Sequence, residues 1–247
     1  MKSFFFAFLF LFSLKSFANE VYDIDLGDEN EEAMILLTNG KVIFTNDKES
    51  LNSLVPQKSY AKSRPSFVPQ MSIEPTLIEG MEGAKKLFKA ARTDRKPSEC
   101  FNRAHVWSYE WFRDSGIFSE KVWIFFSRKY IRKYKFEWWF HVAPLIHVKE
   151  GEQVLERVMD IKYLPEPQNI SRWSDVFMRN KSTCLNVQKY SDYANYSESA
   201  WCHIMKTDMF SYQPVDIESE EYFGYKKTNW IEDELKEAYK NALNEKF

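Results

Sequence analysis

Aromatic side chains set the strongest limit on what this 247-residue chain can fold into: 21 Phe, 13 Tyr and 8 Trp stand against 7 Gly. Rings of that number must be buried together, so a bulky, ordered core is expected and a disordered chain is excluded. The formal charge of −2 gives no electrostatic reason to expect a nucleic-acid partner. The first residues, MKSFFFAFLFLFSLKSFANE, join Lys2 to an apolar run from Phe4 to Leu14 and then to small residues at Ser16 and Ala18. This is the pattern of a secretory signal peptide cut after Ala18. The run is short for a membrane span and no second one follows, so an exported protein, secreted or periplasmic, without stable membrane insertion is expected.

Export bears on the cysteines, Cys100, Cys184 and Cys202. In an oxidising compartment an odd count leaves one thiol over. Cys184 and Cys202 lie in one loop-rich, tyrosine-rich region and are available to pair, which makes Cys100 the spare thiol.

Three segments follow the leader. Residues 19–76 begin with an acidic stretch, DLGDENEE, followed by MILLTNGKVIFT, two apolar runs around Asn39-Gly40 that predict a β-hairpin with a type I′ turn. They continue from Asp47 to Thr76 as a linker or extended strap carrying Pro56, Pro65, Pro69 and Pro75. Residues 77–247 read as the main domain. A helix is predicted over EGAKKLFKAAR, with Ala84, Leu87, Phe88 and Ala91 on one face. A second is predicted from Ser98 as N-cap to Gly116, burying Phe101, Ala104, Trp107, Trp111 and Phe112 and placing Cys100 in its first turn. Strands are predicted at KVWIFF, EWWFHVAPLIHV and VLERVMD, with SRKYIRKYK as a solvated connection. Asn229 and Glu232 have capping-box spacing ahead of a C-terminal helix with Ile231, Leu235, Ala238 and Ala242 on one face.

If Lys149–Glu152 forms a four-residue hairpin loop, Val148 opposes Gln153 and His141 opposes Asp160. Opposed residues share a face, so the imidazole and the carboxylate would be neighbours, the orienting half of a catalytic triad. Pro144 suggests an edge strand or a bulge there. Unpaired N–H groups in a helix's first turn favour thiolate at Cys100 and can also bind an oxyanion. His105, five residues on, falls on another helix face and reads as a polar residue completing a helix–sheet contact. His147, at the loop end of its strand, reads as structural. No metal-ligand spacing, P-loop or dinucleotide fingerprint is present, so no metal and no cofactor are expected. Trp138, Trp139 and Trp173 fit a trough beside the thiol and equally fit the core.

Cys100-x-x-Arg103-Ala104-His105, the later Trp139-Phe140-His141-Val142-Ala143 and the Val158-Met159-Asp160 ending resemble bacterial protein-glutaminase, a secreted protein deamidase family. The resemblance covers roughly Glu99 to Pro165. It implies an α+β, papain-like or transglutaminase-like core with the nucleophile opening a helix packed on an antiparallel sheet. It also implies Cys100 as nucleophile, His141 as its partner and Asp160 as the orienting carboxylate, acting without cofactor on exposed glutamine of proteins or peptides. Family members carry an N-terminal pro-segment over the active site, and residues 19–76 occupy the corresponding place. A monomer is expected. The same three residues would equally serve a transglutaminase or a cysteine peptidase, or could be structural in a non-catalytic exported binding module.

Overall fold

Two β-sheets divide the chain on either side of the proline-rich segment. The computed structural model describes residues 20–51, 54, 73–93, 98–179, 183–196, 198–224 and 226–247. The segment expected to be a signal peptide and most of the expected strap lie outside the described residues. Strands β1 (Val21–Asp25), β2 (Ala33–Leu37) and β3 (Val42–Thr45) form an antiparallel sheet in that order, followed by the short helix α1 (Lys48–Leu51). Every residue of β2 is buried, because its two faces serve two cores. Ala33, Ile35 and Leu37 pack with Val21, Leu51 and Leu54, while Met34 and Leu36 join the main core.

The β2–β3 turn differs from the expected type I′. That turn needs positive φ at two central residues, and here only Gly40 has it, at φ +87°. The Gly40 N–H instead donates to the Leu37 carbonyl at 3.0 Å and the Leu37 N–H to the Lys41 carbonyl at 2.9 Å, which closes a three-residue loop. Glycine is needed there twice over, since a β-carbon at position 40 would also meet the Phe140 ring at 3.1 Å.

The second sheet has the order β4-β6-β5-β9-β8, with β7 also pairing β6. Its strands are β4 (Leu77–Glu79), β5 (Glu120–Phe126), β6 (Phe140–Glu150), β7 (Gln153–Val158), β8 (Leu185–Asn186) and β9 (Cys202–Asp208). It is mixed rather than purely antiparallel, because β4 runs parallel to β6 and β8 parallel to β9. Around it lie α2 (Gly80–Ala90), α3 (Cys100–Ser115), α4 (Arg128–Tyr134), α5 (Ile170–Phe177), α6 (Tyr190–Tyr196), α7 (Pro214–Phe223) and α8 (Glu232–Leu243).

Four further expectations need correction. The basic stretch after β5 is helix α4 rather than a solvated turn: the Ser127 hydroxyl accepts from the Tyr130 N–H at 3.0 Å, and Tyr130 and Ile131 enter the core. The C-terminal helix starts on Ile231 without a side-chain cap, and Glu232, Asp233 and Glu234 instead complement its positive end. The β6–β7 turn is Gly151-Glu152 alone, pairing Glu150 with Gln153 and Leu145 with Val158. That register differs by two residues from the expected one, so each side chain keeps its face. Pro144 sits inside β6 opposite Lys121 rather than on an edge. Its carbonyl accepts from the Met159 N–H at 2.9 Å. In a strand a residue's N–H and C=O point to the same side, so the proline's missing N–H falls just past the last β7 pair, where no ladder bond is lost.

Candidate active site

Cys100 is the first residue of α3 rather than the second, because the N-cap is Glu99 and not Ser98. The helix ends on Gly116, left-handed at φ 65°, whose N–H bonds the Phe112 carbonyl. Asn102 helps hold the first turn: its amide donates to Glu99 Oε2 at 3.0 Å, and its Oδ1 accepts from the Tyr212 hydroxyl. Cys184 and Cys202 form a disulfide and Cys100 is a free, buried thiol, as the cysteine count implied.

His141 is the second residue of β6 and has no exposed surface. Its Nε2 lies 2.6 Å from Asp160 Oδ2. Asp160 stands two residues past the end of β7, in a turn where its own carbonyl accepts from the Tyr163 and Leu164 N–H groups at 3.1 and 2.9 Å. The carboxylate therefore reaches the imidazole from a turn, not from a ladder position. Trp173 of α5 donates its indole N–H to the same Oδ2 at 2.9 Å. The rings of Trp138, Tyr163, Trp173 and Phe177 enclose the imidazole, with Phe177 centred 4.5 Å away and Trp138 stacked at 5.6 Å.

Two partners set the charge of this ring. Burial pulls the His141 pKa down, but the charge of Asp160, then that of Cys100, and the hydrogen bond to the carboxylate raise it to about 9. With Nε2 given to the carboxylate, Nδ1 is the nitrogen left for the thiol, and it makes no conventional hydrogen bond of its own. A thiolate beside an imidazolium is the arrangement a cysteine nucleophile needs, and such contacts are commonly loose before substrate arrives. A cleft of about 230 Å³ opens on Cys100, walled by Ser98, Glu99, Trp138, Phe140 and Tyr163 and, from the N-terminal sheet, by Asn39, Gly40 and Lys41. A larger polar cleft of about 410 Å³, between α5 and the β8–β9 edge, contains none of the three triad candidates; the chemistry of the thiol cleft outweighs the size of the other.

The remaining histidines lie apart from the thiol. His105, fully buried on α3, accepts at Nδ1 from Lys121 Nζ of β5 at 2.8 Å, the helix–sheet contact expected of it. His147 meets Glu120 Oε2 at 2.7 Å near the far end of β6. With Glu156 these two form a group that could hold a metal ion, its ligand atoms within 4.8 Å of one another. Internal partners already serve it, since Glu156 also pairs with Lys206 at 2.6 Å. Of the three tryptophans, Trp138 walls the cleft, Trp139 is core and donates to the Leu37 carbonyl, and Trp173 binds Asp160. Sequence reasoning missed the roles of Trp173, Asn102 and Tyr212. Nothing in residue type or spacing marks them, because their partners come together only through the tertiary fold.

Comparison with known proteins bears on this group directly. Residues 84–177 match the family model described as Glutaminase, a span containing Cys100, His141, Asp160 and Trp173. No curated protein matches significantly. The crystal structure of a pro-protein-glutaminase is similar at 13% identity and TM-score 0.55, over 90% of this chain and 90% of that one. A mutant of pro-protein-glutaminase is similar at 13% identity and TM-score 0.51, over 78% and 82%. The NMR structure of protein-glutaminase from Chryseobacterium proteolyticum aligns at 17% identity and TM-score 0.38, over 55% and 75%. The two pro-forms show that the α+β fold is shared. The span that carries thiol, imidazole and carboxylate is thus the part of the chain that matches the glutaminase family model.

Proposed function

We propose that the protein is a secreted protein-glutamine deamidase, hydrolysing the side-chain amide of glutamine in proteins or peptides to glutamate and ammonia. The observation that carries this reading is a buried His141 held by the Asp160 carboxylate and lying beside Cys100, inside the span matched to glutaminases. Cys100 Sγ attacks the amide carbon, forming the C–S bond and an oxyanion that the backbone N–H groups opening α3 receive. One such donor contributes about 3 kcal/mol in related sites. His141 gives its Nδ1 proton to the amide nitrogen, the C–N bond breaks and ammonia leaves a γ-glutamyl thioester. Neutral Nδ1 then takes a proton from water, the hydroxide adds to the thioester, and collapse expels the thiolate with glutamate. Asp160 holds the ring on its other nitrogen throughout. Trp138, Phe140 and Tyr163 offer apolar walls for the methylene groups of glutamine.

Residues 19–76 fit a pro-segment ahead of a catalytic domain at 77–247. The turn from Thr38 to Lys41 walls the thiol cleft and is tied down beside it: the Trp139 N–H donates to the Gly40 carbonyl at 3.0 Å and the Val42 N–H to the Glu137 carbonyl at 2.8 Å. Arg128 and Arg132 of α4 pair with Asp23 and Asp25 at 2.6 and 2.9 Å and anchor the same sheet. Access to the thiol then requires this sheet to move. The disulfide fits an exported protein, and we read it as acting as a monomer.

The test uses the whole chain and the chain nicked between residues 52 and 76, each with a glutamine-rich protein. Ammonia release, amine incorporation and main-chain cleavage are followed together, with Cys100→Ala as control. Ammonia alone, faster after nicking and absent from Cys100→Ala, is the expected result. Amine incorporation would make it a transglutaminase and chain cleavage a peptidase. No product from either form, with Cys100 inert to alkylation, would leave only a binding module.

A further inference from the structure

Asp160 Oδ2 is the meeting point of two buried donors, His141 Nε2 at 2.6 Å and Trp173 Nε1 at 2.9 Å. A buried indole N–H needs an acceptor, but a main-chain carbonyl or a hydroxyl is enough. Trp107 uses the Arg92 carbonyl, Trp139 the Leu37 carbonyl and Trp123 the Thr207 hydroxyl. Trp173 is different: its acceptor is the carboxylate that holds the imidazole.

The chain around this bond is braced on both sides. Val158 and Gln168 exchange backbone hydrogen bonds at 2.7 and 3.3 Å, closing the loop that carries Asp160. Immediately beyond, Asn169 caps α5 by accepting from the Arg172 N–H at 2.8 Å, and Trp173 follows with no exposed surface. Asp160 and Trp173 thus leave the two ends of one clamped loop and meet over the imidazole. A single donor leaves a carboxylate free to swing about its Cβ–Cγ bond; a second donor on the same oxygen fixes where that oxygen lies.

We propose that Trp173 is a positioning residue for the reaction: its indole N–H fixes Asp160 Oδ2, and through it the ring plane in which His141 presents Nδ1 to Cys100. This rests on the triad reading above. Replacing the donor leaves substrate binding alone, because Trp173 does not line the thiol cleft. It changes how well the imidazole gives and takes its proton.

Two substitutions test the idea in the nicked, active protein. Trp173→Phe keeps an aromatic ring, and benzothienylalanine incorporated at position 173 keeps the full bicyclic shape while replacing N–H by sulfur. Deamidation kinetics are measured from pH 5 to 10, with thermal unfolding alongside. The expected result for both is a kcat at least tenfold lower with KM within twofold, and a limb of the pH profile moved by half a unit or more. The benzothienyl protein should unfold within 2 °C of the parent. If it shows the parent's kcat and pH limbs, Trp173 only fills space and the proposal is wrong; a lower unfolding temperature with unchanged kcat says the same. Cys100→Ala run in parallel separates the two levels: should it retain activity, the triad reading itself falls and the positioning role with it.

Discussion

Two buried histidines, both without exposed surface, are driven in opposite directions by their partners. His141 faces Asp160 and Cys100 and its pKa rises to about 9. At His105 burial comes first, and the charges of Lys121 and then Lys227 add to it, so its pKa falls well below the ordinary value. Lys121 and Ile124 are three residues apart on β5, hence on opposite faces, and His141 pairs with Ile124. One strand pair thus presents His141 of β6 on one side and, through Lys121 of β5, meets His105 of α3 on the other. Burial is common to both; the sign of the neighbouring charge decides which is equipped for proton transfer. His105 is the histidine nearest Cys100 in sequence, yet its Nδ1 meets Lys121 instead.

The largest effect that sharpens this contrast is on catalysis. Asp160→Asn keeps the shape of the orienting group and removes its charge, and should lower kcat for ammonia release by about 10³- to 10⁴-fold. His105→Leu should leave kcat within threefold, so comparable losses in both variants would break the contrast.

Next comes pH. The folded pKa of His141, about 9, lies above its ordinary 6.5, so its contribution to stability is complete below pH 6.5 and is lost as pH rises through 9. The shift corresponds to about 3 kcal/mol. The stability advantage of the parent over His141→Gln, from urea unfolding, should therefore shrink across that window. Lys121 works the other way: burial and Lys227 lower its pKa to about 7, outweighing nearby carboxylates, so its contribution improves as pH rises from 7 towards 10.5.

A somewhat smaller change is expected at the His105 pair itself. Lys121 Nζ is held by His105 Nδ1 and the Ser211 carbonyl at 2.8 and 2.6 Å. Removing the imidazole leaves a buried ammonium short of an acceptor, and His105→Leu should cost about 2–3 kcal/mol in unfolding. The double variant with Lys121→Met should recover part of that loss, and strict additivity in the cycle would mean the two do not interact. Smallest is Gly40→Ala, expected to cost about 1–2 kcal/mol through the positive φ and the Phe140 contact, loosening the turn beside the thiol. Faster ammonia release from the un-nicked chain would accompany it.

These contrasts also show what residue order could reveal. Cys100 was legible because cysteine count and helix position are local facts. The His141–Asp160 contact was reached through a hairpin register two residues off; strand alternation has a period of two, so the error left both side chains on the right face, and the turn after Val158 supplied the missing reach. A buried lysine was not legible at all, since KVWIFF gives no sign that Lys121 points inward to His105. The indole on Asp160 was equally hidden: Trp173 looked like core, which it is, and its one polar atom matters only because the clamped loop aims it. Helix α4 was misread because its basic residues suggested solvent, while its apolar face, Tyr130 and Ile131, is short enough to escape a periodicity test.

The central claim is that His141 is held as an imidazolium between Asp160 and Cys100. The direct measurement is an NMR titration of the ring nitrogens in protein labelled at histidine, with His141 assigned by its absence in His141→Gln. A pKa near 9, falling when Cys100→Ala removes one negative partner and again in Asp160→Asn, is the predicted result. A His141 that titrates at or below 6.5, or one indifferent to both substitutions, would contradict it.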